Sequence, residues 1–290
     1  MPDDASSQEP IHRFTSLGRP LDPSWPSNLA VLLLMPLAAL AVGFFGSGTP
    51  GLGGTPRAWA AALGAGVVLG AWALGRELAP DDQRAAFVAM AFALAALLAV
   101  PGTSLLLLFT TLVMVRLVNR SVGLPARSLD GLALLLLTGW SMVATGSPGV
   151  GLVGTAAFVV DAALPGGLRR QWWFAAMSLA LVGVLTGMGL ASFEPSLVVT
   201  MPFLFAAIGV GAVFADVLIR TRGVRATGDA TDAPLSVRRV QWGMAIALAM
   251  AAQGLALGGS RPGTTALLWT CIAGVAVSGV APPGTKPDGA

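Results

Sequence analysis

Four carboxylates, Asp81, Asp82, Asp161 and Asp216, fall at or just inside the ends of apolar segments. Oxygen ligands of this kind can hold Mg²⁺ against a phosphate. If the four converge on a cleft, they make a membrane-embedded enzyme for a lipid or polyprenyl phosphate. Each also has a plainer role. Asp81 and Asp82 precede the third apolar segment and Asp130 opens the fifth, positions where a carboxylate caps free N–H groups and meets the positive end of the helix dipole. Asp161 and Asp216 lie near C-terminal ends, where the dipole opposes a negative charge. Arg220 stands four residues after Asp216, on the same helical face. Asp161 has no cation at that spacing, so its partner must come from another segment, with Arg169 and Arg116 as candidates.

A second set suits a binding site. Gln253 lies in apolar sequence and cannot return its hydrogen bonds to its own helix as Ser and Thr do, so it bonds another segment or lines a cavity. Arg116 and Asn119, at the inner end of the fourth segment, either snorkel to the interface or offer donors to a lipid phosphate or a carboxylated solute. With Asp161 they are the candidate substrate contacts. The other polar groups at mid-depth are Thr110, Thr111, Thr138, Ser141, Ser178 and Thr186, with no charged residue among them. Pro36 and Pro202 fall inside apolar segments, where a missing N–H frees a carbonyl and kinks the helix.

Other chemistries are excluded by what is missing. His12 is the only histidine and Cys271 the only cysteine, so neither a clustered zinc or haem site nor a disulfide framework is available. The glycine-rich stretch 46–54 lacks the Gly-Lys-Ser/Thr of a phosphate-binding loop. No cofactor and no metal are expected.

The elements that must position these residues are set by solvent. The chain is 55% hydrophobic and 11% charged, with a mean hydropathy of +0.77, whereas soluble domains carry about 25% charged residues. Ten apolar stretches can be drawn at 29–46, 58–75, 85–101, 103–118, 129–146, 149–164, 171–191, 197–218, 240–257 and 264–280. Lipid offers the backbone no partners, so these are helices. The expected fold class is all-α, a polytopic integral membrane bundle of about ten transmembrane helices. Residues 1–28 form a polar tail, 29–280 a single bundle with possible halves 29–148 and 149–280, and 281–290 a second tail.

Arginine spacing orients the bundle. With the N-terminus inside, fifteen of the seventeen Lys and Arg face the cytoplasm, and only Arg57 and Arg261 lie outside. Both termini are then cytoplasmic, in the cell membrane of a prokaryote. The cations flank segments instead of forming a stripe, which suits lipid headgroups and argues against nucleic acid. Trp25, Trp59, Trp172, Trp173 and Trp242 sit near segment ends, at headgroup level. Gly66/Gly70 and Gly183/Gly187 offer faces for close helix approach. Leu168-Arg-Arg-Gln-Trp-Trp and Val237-Arg-Arg-Val-Gln-Trp are alike, either as shared insertion grammar or as an old repeat.

In helix number and orientation this layout resembles the drug and metabolite transporter superfamily, whose ten-helix carriers have inverted five-helix halves. That family closes a helix in each half with a Gly-Glu pair. Here the internal glutamates stand as Arg76-Glu77 and Phe193-Glu194-Pro195. Three functions stay open: a carrier or permease for a small metabolite, the lipid-phosphate enzyme, and a structural or accessory membrane subunit.

Overall fold

The computed structural model describes residues 15–193, 200–256 and 262–280. These residues are 74% helical and contain no strand. His12, Glu194, Arg261 and Lys286 lie outside them, as does the 281–290 tail. Ten α-helices follow in order: α1 (Pro26–Phe45), α2 (Arg57–Leu78), α3 (Gln83–Ala99), α4 (Leu105–Asn119), α5 (Ser128–Thr145), α6 (Pro148–Ala163), α7 (Arg170–Gly187), α8 (Met201–Arg220), α9 (Val237–Ala256) and α10 (Ala266–Val280). Four stretches are long and apolar enough to cross a membrane: 26–48, which is α1 with the 3₁₀ turn after it, and α2, α5 and α8. Helices α3, α4, α6 and α10 are apolar but shorter.

The helix starts follow local chemistry. Asp82 and Ser104 cap α3 and α4 by accepting backbone N–H bonds from Arg84 and Leu107. α1, α6 and α8 carry proline in the first turn, where its missing N–H removes no helical bond. This corrects the expectation for Pro202. It opens α8 and does not kink it, because that helix begins at Met201 and not at 197. Pro36 does lie within α1, but on its exposed face.

α4 runs through the middle of the bundle, packing on α2, α5, α6 and α9, and α9 also touches α6, α8 and α10. α1 lies along α2, α7 along α5 and α6, and α3 and α10 pack together beside α2. Small residues set these approaches by letting backbones come close. Gly66 and Gly70 admit Leu105 and Leu108 of α4, and Gly274 of α10 sits on Ala89 of α3. Gly183 and Gly187 face open space instead. The outer helices turn large apolar side chains outward, among them Leu33 and Leu37 of α1, Leu136 of α5, Trp173 of α7 and Phe205 of α8. A water-soluble monomer rarely exposes a surface of this kind.

Candidate functional site

The polar residues gather at one end of the bundle, where α2, α4 and α6 finish and α5 and α9 begin. Glu77 is the hub. It lies in the last turn of α2, only 2% exposed. Its Oε1 accepts from Arg116 Nε (3.1 Å), Ser121 Oγ (3.1 Å) and Arg19 Nη1 (3.2 Å). Asn119 donates to the Glu77 carbonyl at 2.9 Å. Arg19 comes from the segment preceding α1 and forks onto both oxygens of Asp229 in the α8–α9 connection. Burial opposes the charge on Arg19, but Glu77 and Asp229 outweigh it, so its pKa is raised above the ordinary arginine value. This end is therefore held by charge-assisted bonds between segments far apart in the chain.

Asp161 anchors a second cluster beside the first. It is fully buried in α6, and its Oδ1 accepts from Arg120 Nε at 2.9 Å and Arg239 Nη1 at 2.8 Å. Arg239 also donates to the carbonyls of Val118 and Pro165. Arg120 and Ser121 are adjacent yet serve different acids. The reason is local: Arg120 ends α4 in the left-handed conformation (φ 51°), which ordinary residues adopt at a cost, and the chain turns sharply between the two side chains.

Two further acids tie loops to this end. Asp130 caps α5 by accepting from the Arg127 N–H, and it also takes the hydroxyls of Thr15 (2.6 Å) and Ser16 (2.7 Å). Arg116 Nη1 donates to the Leu17 carbonyl. Residues 15–19, part of the polar tail expected from the sequence, are thus docked across the helix ends. Asp81 accepts from the backbone N–H groups of Arg225 and Ala226, pulling the α8–α9 connection down beside α2.

The candidate catalytic carboxylates are thus engaged one by one. Asp81 holds a loop backbone, Asp82 caps α3, Asp161 pairs with Arg120 and Arg239, and Asp216 pairs with Arg220 on the exposed surface of α8 at 2.8 Å. The partners of Asp161 are neither Arg169 nor Arg116. Among the described residues no group of His, Cys, Asp and Glu could hold a metal. Of the candidate substrate contacts, Arg116 and Asn119 meet at Glu77, Asp161 lies in the neighbouring cluster, and Gln253 is elsewhere.

Gln253 belongs to the opposite end, where its Oε1 accepts from Ser147 Oγ at 2.5 Å, while its buried Nε2 has no partner. This end is hollow. A cavity of about 630 Å³ is lined by Trp59, Leu63, Thr103, Ser104, Thr145 and Thr264 among others, with no charged side chain. Its origin is helix length. α4 has 15 residues against 22 in α2, and the two are level at Glu77 and Asn119. The shortfall therefore appears at the far end: Leu105, the first residue of α4, packs on Gly66, nine residues beyond the start of α2. At 1.5 Å per residue α2 extends about 13 Å past the start of α4, and the cavity lies in that space beside the 100–104 connection, whose Gly102, Thr103 and Ser104 line it.

Below the cavity floor the polarity continues. Ser141 and Thr110 share a 2.6 Å hydrogen bond between α5 and α4. Thr110 in turn donates to the Leu106 carbonyl, and Thr145 to that of Ser141. Thr138, Ser141 and Thr145 lie on one face of α5, and the buried Thr138 hydroxyl has no partner. The chain matches no family model, no curated protein and no solved structure.

Sequence reasoning missed Glu77 and the cavity. The second apolar segment, drawn to 75, stops short of Glu77, whereas α2 continues to Leu78. The signal was available: Gly66, Gly70, Ala73 and Glu77 share one helical face, the small-residue face that packs on α4.

Proposed function

We propose that the chain is a secondary carrier or permease for a small solute, embedded as ten spans with both termini and the Glu77 end in the cytoplasm. What carries this reading is the contrast between the ends. A bundle tied shut at one end by ion pairs between remote segments, and hollow at the other, has the form of a carrier closed inward and open outward. Arginine distribution supports the orientation, since fifteen of seventeen cations then lie inside. Apolar side chains turned outward support lipid as the solvent. The separate engagement of the four carboxylates removes the support for the enzyme reading.

Two experiments test it. In a Cys271→Ala background, an impermeant maleimide applied to intact cells should label Gly53→Cys directly and Gly223→Cys only after permeabilisation. The reverse pattern overturns the orientation. In proteoliposomes, joining Arg19→Cys to Asp229→Cys with a reducible bifunctional thiol reagent should stop solute flux, and reduction should restore it. Flux that ignores the cross-link rules out the Glu77 end as the inner gate.

A further inference from the structure

We propose that the recess between α2, α4 and α5 binds a small, uncharged, polyhydroxylated solute such as a polyol or monosaccharide, with Trp59, Ser104 and Thr145 as its principal contacts. The proposal rests on the carrier reading for its purpose, but binding and flux are measured apart.

Charge decides the class. A carboxylate or ammonium entering the recess would lose hydration without meeting a counter-charge among the described lining residues, a cost of several kcal/mol. Among the described residues of the connections at this end and the first turn of α2, the only charge is Arg57, which is exposed and two residues from Trp59. It repels cations and, being solvated, attracts anions only weakly.

The hydrogen-bonding supply fits hydroxyl groups. A hydroxyl both donates and accepts, so it matches another hydroxyl in either sense. Ser104 Oγ accepts from the Leu107 N–H, which leaves its proton free to donate. Thr145 Oγ1 donates to the Ser141 carbonyl and accepts from the Ser147 N–H at 3.4 Å, which leaves one lone pair to accept from a guest hydroxyl. The Trp59 ring provides an apolar face for the C–H side of a sugar or polyol, and indole pairs this with a polar edge. A volume of about 630 Å³ falls within the range of small-molecule sites.

An independent observation lies deeper. Thr138 is fully buried with its hydroxyl unsatisfied, a state that costs about 1–3 kcal/mol. It continues the Thr145–Ser141 stripe toward the middle of the bundle, beneath the cavity lining. Asp130 stands two turns further along the same face, with buried Leu134 between. The stripe therefore connects the recess to the sealed end by a row interrupted by one apolar layer.

The test is equilibrium dialysis of the full-length protein in nanodiscs against radiolabelled xylitol, glucose, lactate and choline. Saturable binding of xylitol or glucose is expected, at least about tenfold tighter than that of lactate or choline. Trp59→Ala should weaken it about tenfold and Thr145→Val about three- to tenfold. Thr145→Ser, which keeps the hydroxyl, should restore it. Thr155→Val, on α6 and bonded to its own helix, should leave it unchanged. Preference for lactate or choline, no saturable binding of either neutral probe, or indifference to the Trp59 and Thr145 substitutions each overturns the proposal. Uptake of the same probes into proteoliposomes separates the two readings. Binding without flux sinks the carrier and keeps the site, and flux that ignores Trp59 and Thr145 sinks the site and keeps the carrier.

Discussion

The Glu77 end and the Trp59 end are built from the same helices and differ in almost everything else. At the first, buried acids and arginines from five helices and two connecting segments are interlocked. At the second, hydroxyls and glycines surround a recess, and the hydroxyl bonds of Ser104, Thr110, Ser141 and Thr145 reach only a neighbouring helix or their own. The lesson concerns where a bundle can separate. Charged pairs desolvated together are costly to divide, since each partner left alone is a buried charge. Neutral hydroxyl contacts are worth about 0.6 kcal/mol on average in lipid. An end closed by charges has two discrete states, together or apart, whereas an end lined by hydroxyls can admit a guest by exchanging one weak bond for another.

Substitutions that break this contrast should scale with burial. The largest effect belongs to Asp161→Ala, which strands Arg120 and Arg239. A loss of about 3–5 kcal/mol is expected, read as thermal unfolding in detergent; a loss under about 1 kcal/mol would show that water already solvates the cluster. Glu77→Gln keeps the shape but turns charge-assisted bonds into neutral ones, and should cost about 2–3 kcal/mol while exposing residues 15–19 to proteolysis. Arg19→Ala removes a half-buried fork onto the more exposed Asp229, with about 1 kcal/mol expected and the same gain in proteolysis. Asp216→Ala touches only a solvated pair four residues apart and should shift stability by less than about 0.5 kcal/mol.

Helices were legible because the apolar runs are long and bounded by glycine, proline and charge, and the expected segments match the observed ones within a turn or so at nearly every end. The widest gaps, four residues each, are at the end of α7, drawn to 191 but ending at Gly187, and at the start of α8, where the apolar run from 197 blurred the start at Met201 and misplaced Pro202. Side-chain partners were far less legible. Asp216 found Arg220 because the helix itself sets their spacing. Asp161 found Arg239, 78 residues away, through helix packing that no local period encodes. The recess was invisible for the same reason: it follows from the length of α4 relative to α2, a comparison that has meaning only once Gly66 and Leu105 are known to touch. The two short Arg-Arg-Trp stretches do share a setting, each opening a helix, yet Gln171 and Gln241 have different surroundings. Gln171 is fully buried and unpartnered, and Gln241 bonds the end of α8.

Arg19 leaves the ribosome 210 residues ahead of Asp229, which completes the fork it needs. At roughly 5–20 residues per second, synthesis keeps that guanidinium waiting on the order of 10–40 s. Glu77 and Arg116 emerge in the interval and can meet without it. The segment ahead of α1 therefore docks fully only when the α8–α9 connection has arrived, and a chain broken off before that point cannot finish this end. The same few hydrogen bonds that would hold a gate shut thus also mark a molecule whose synthesis has passed the connection to α9.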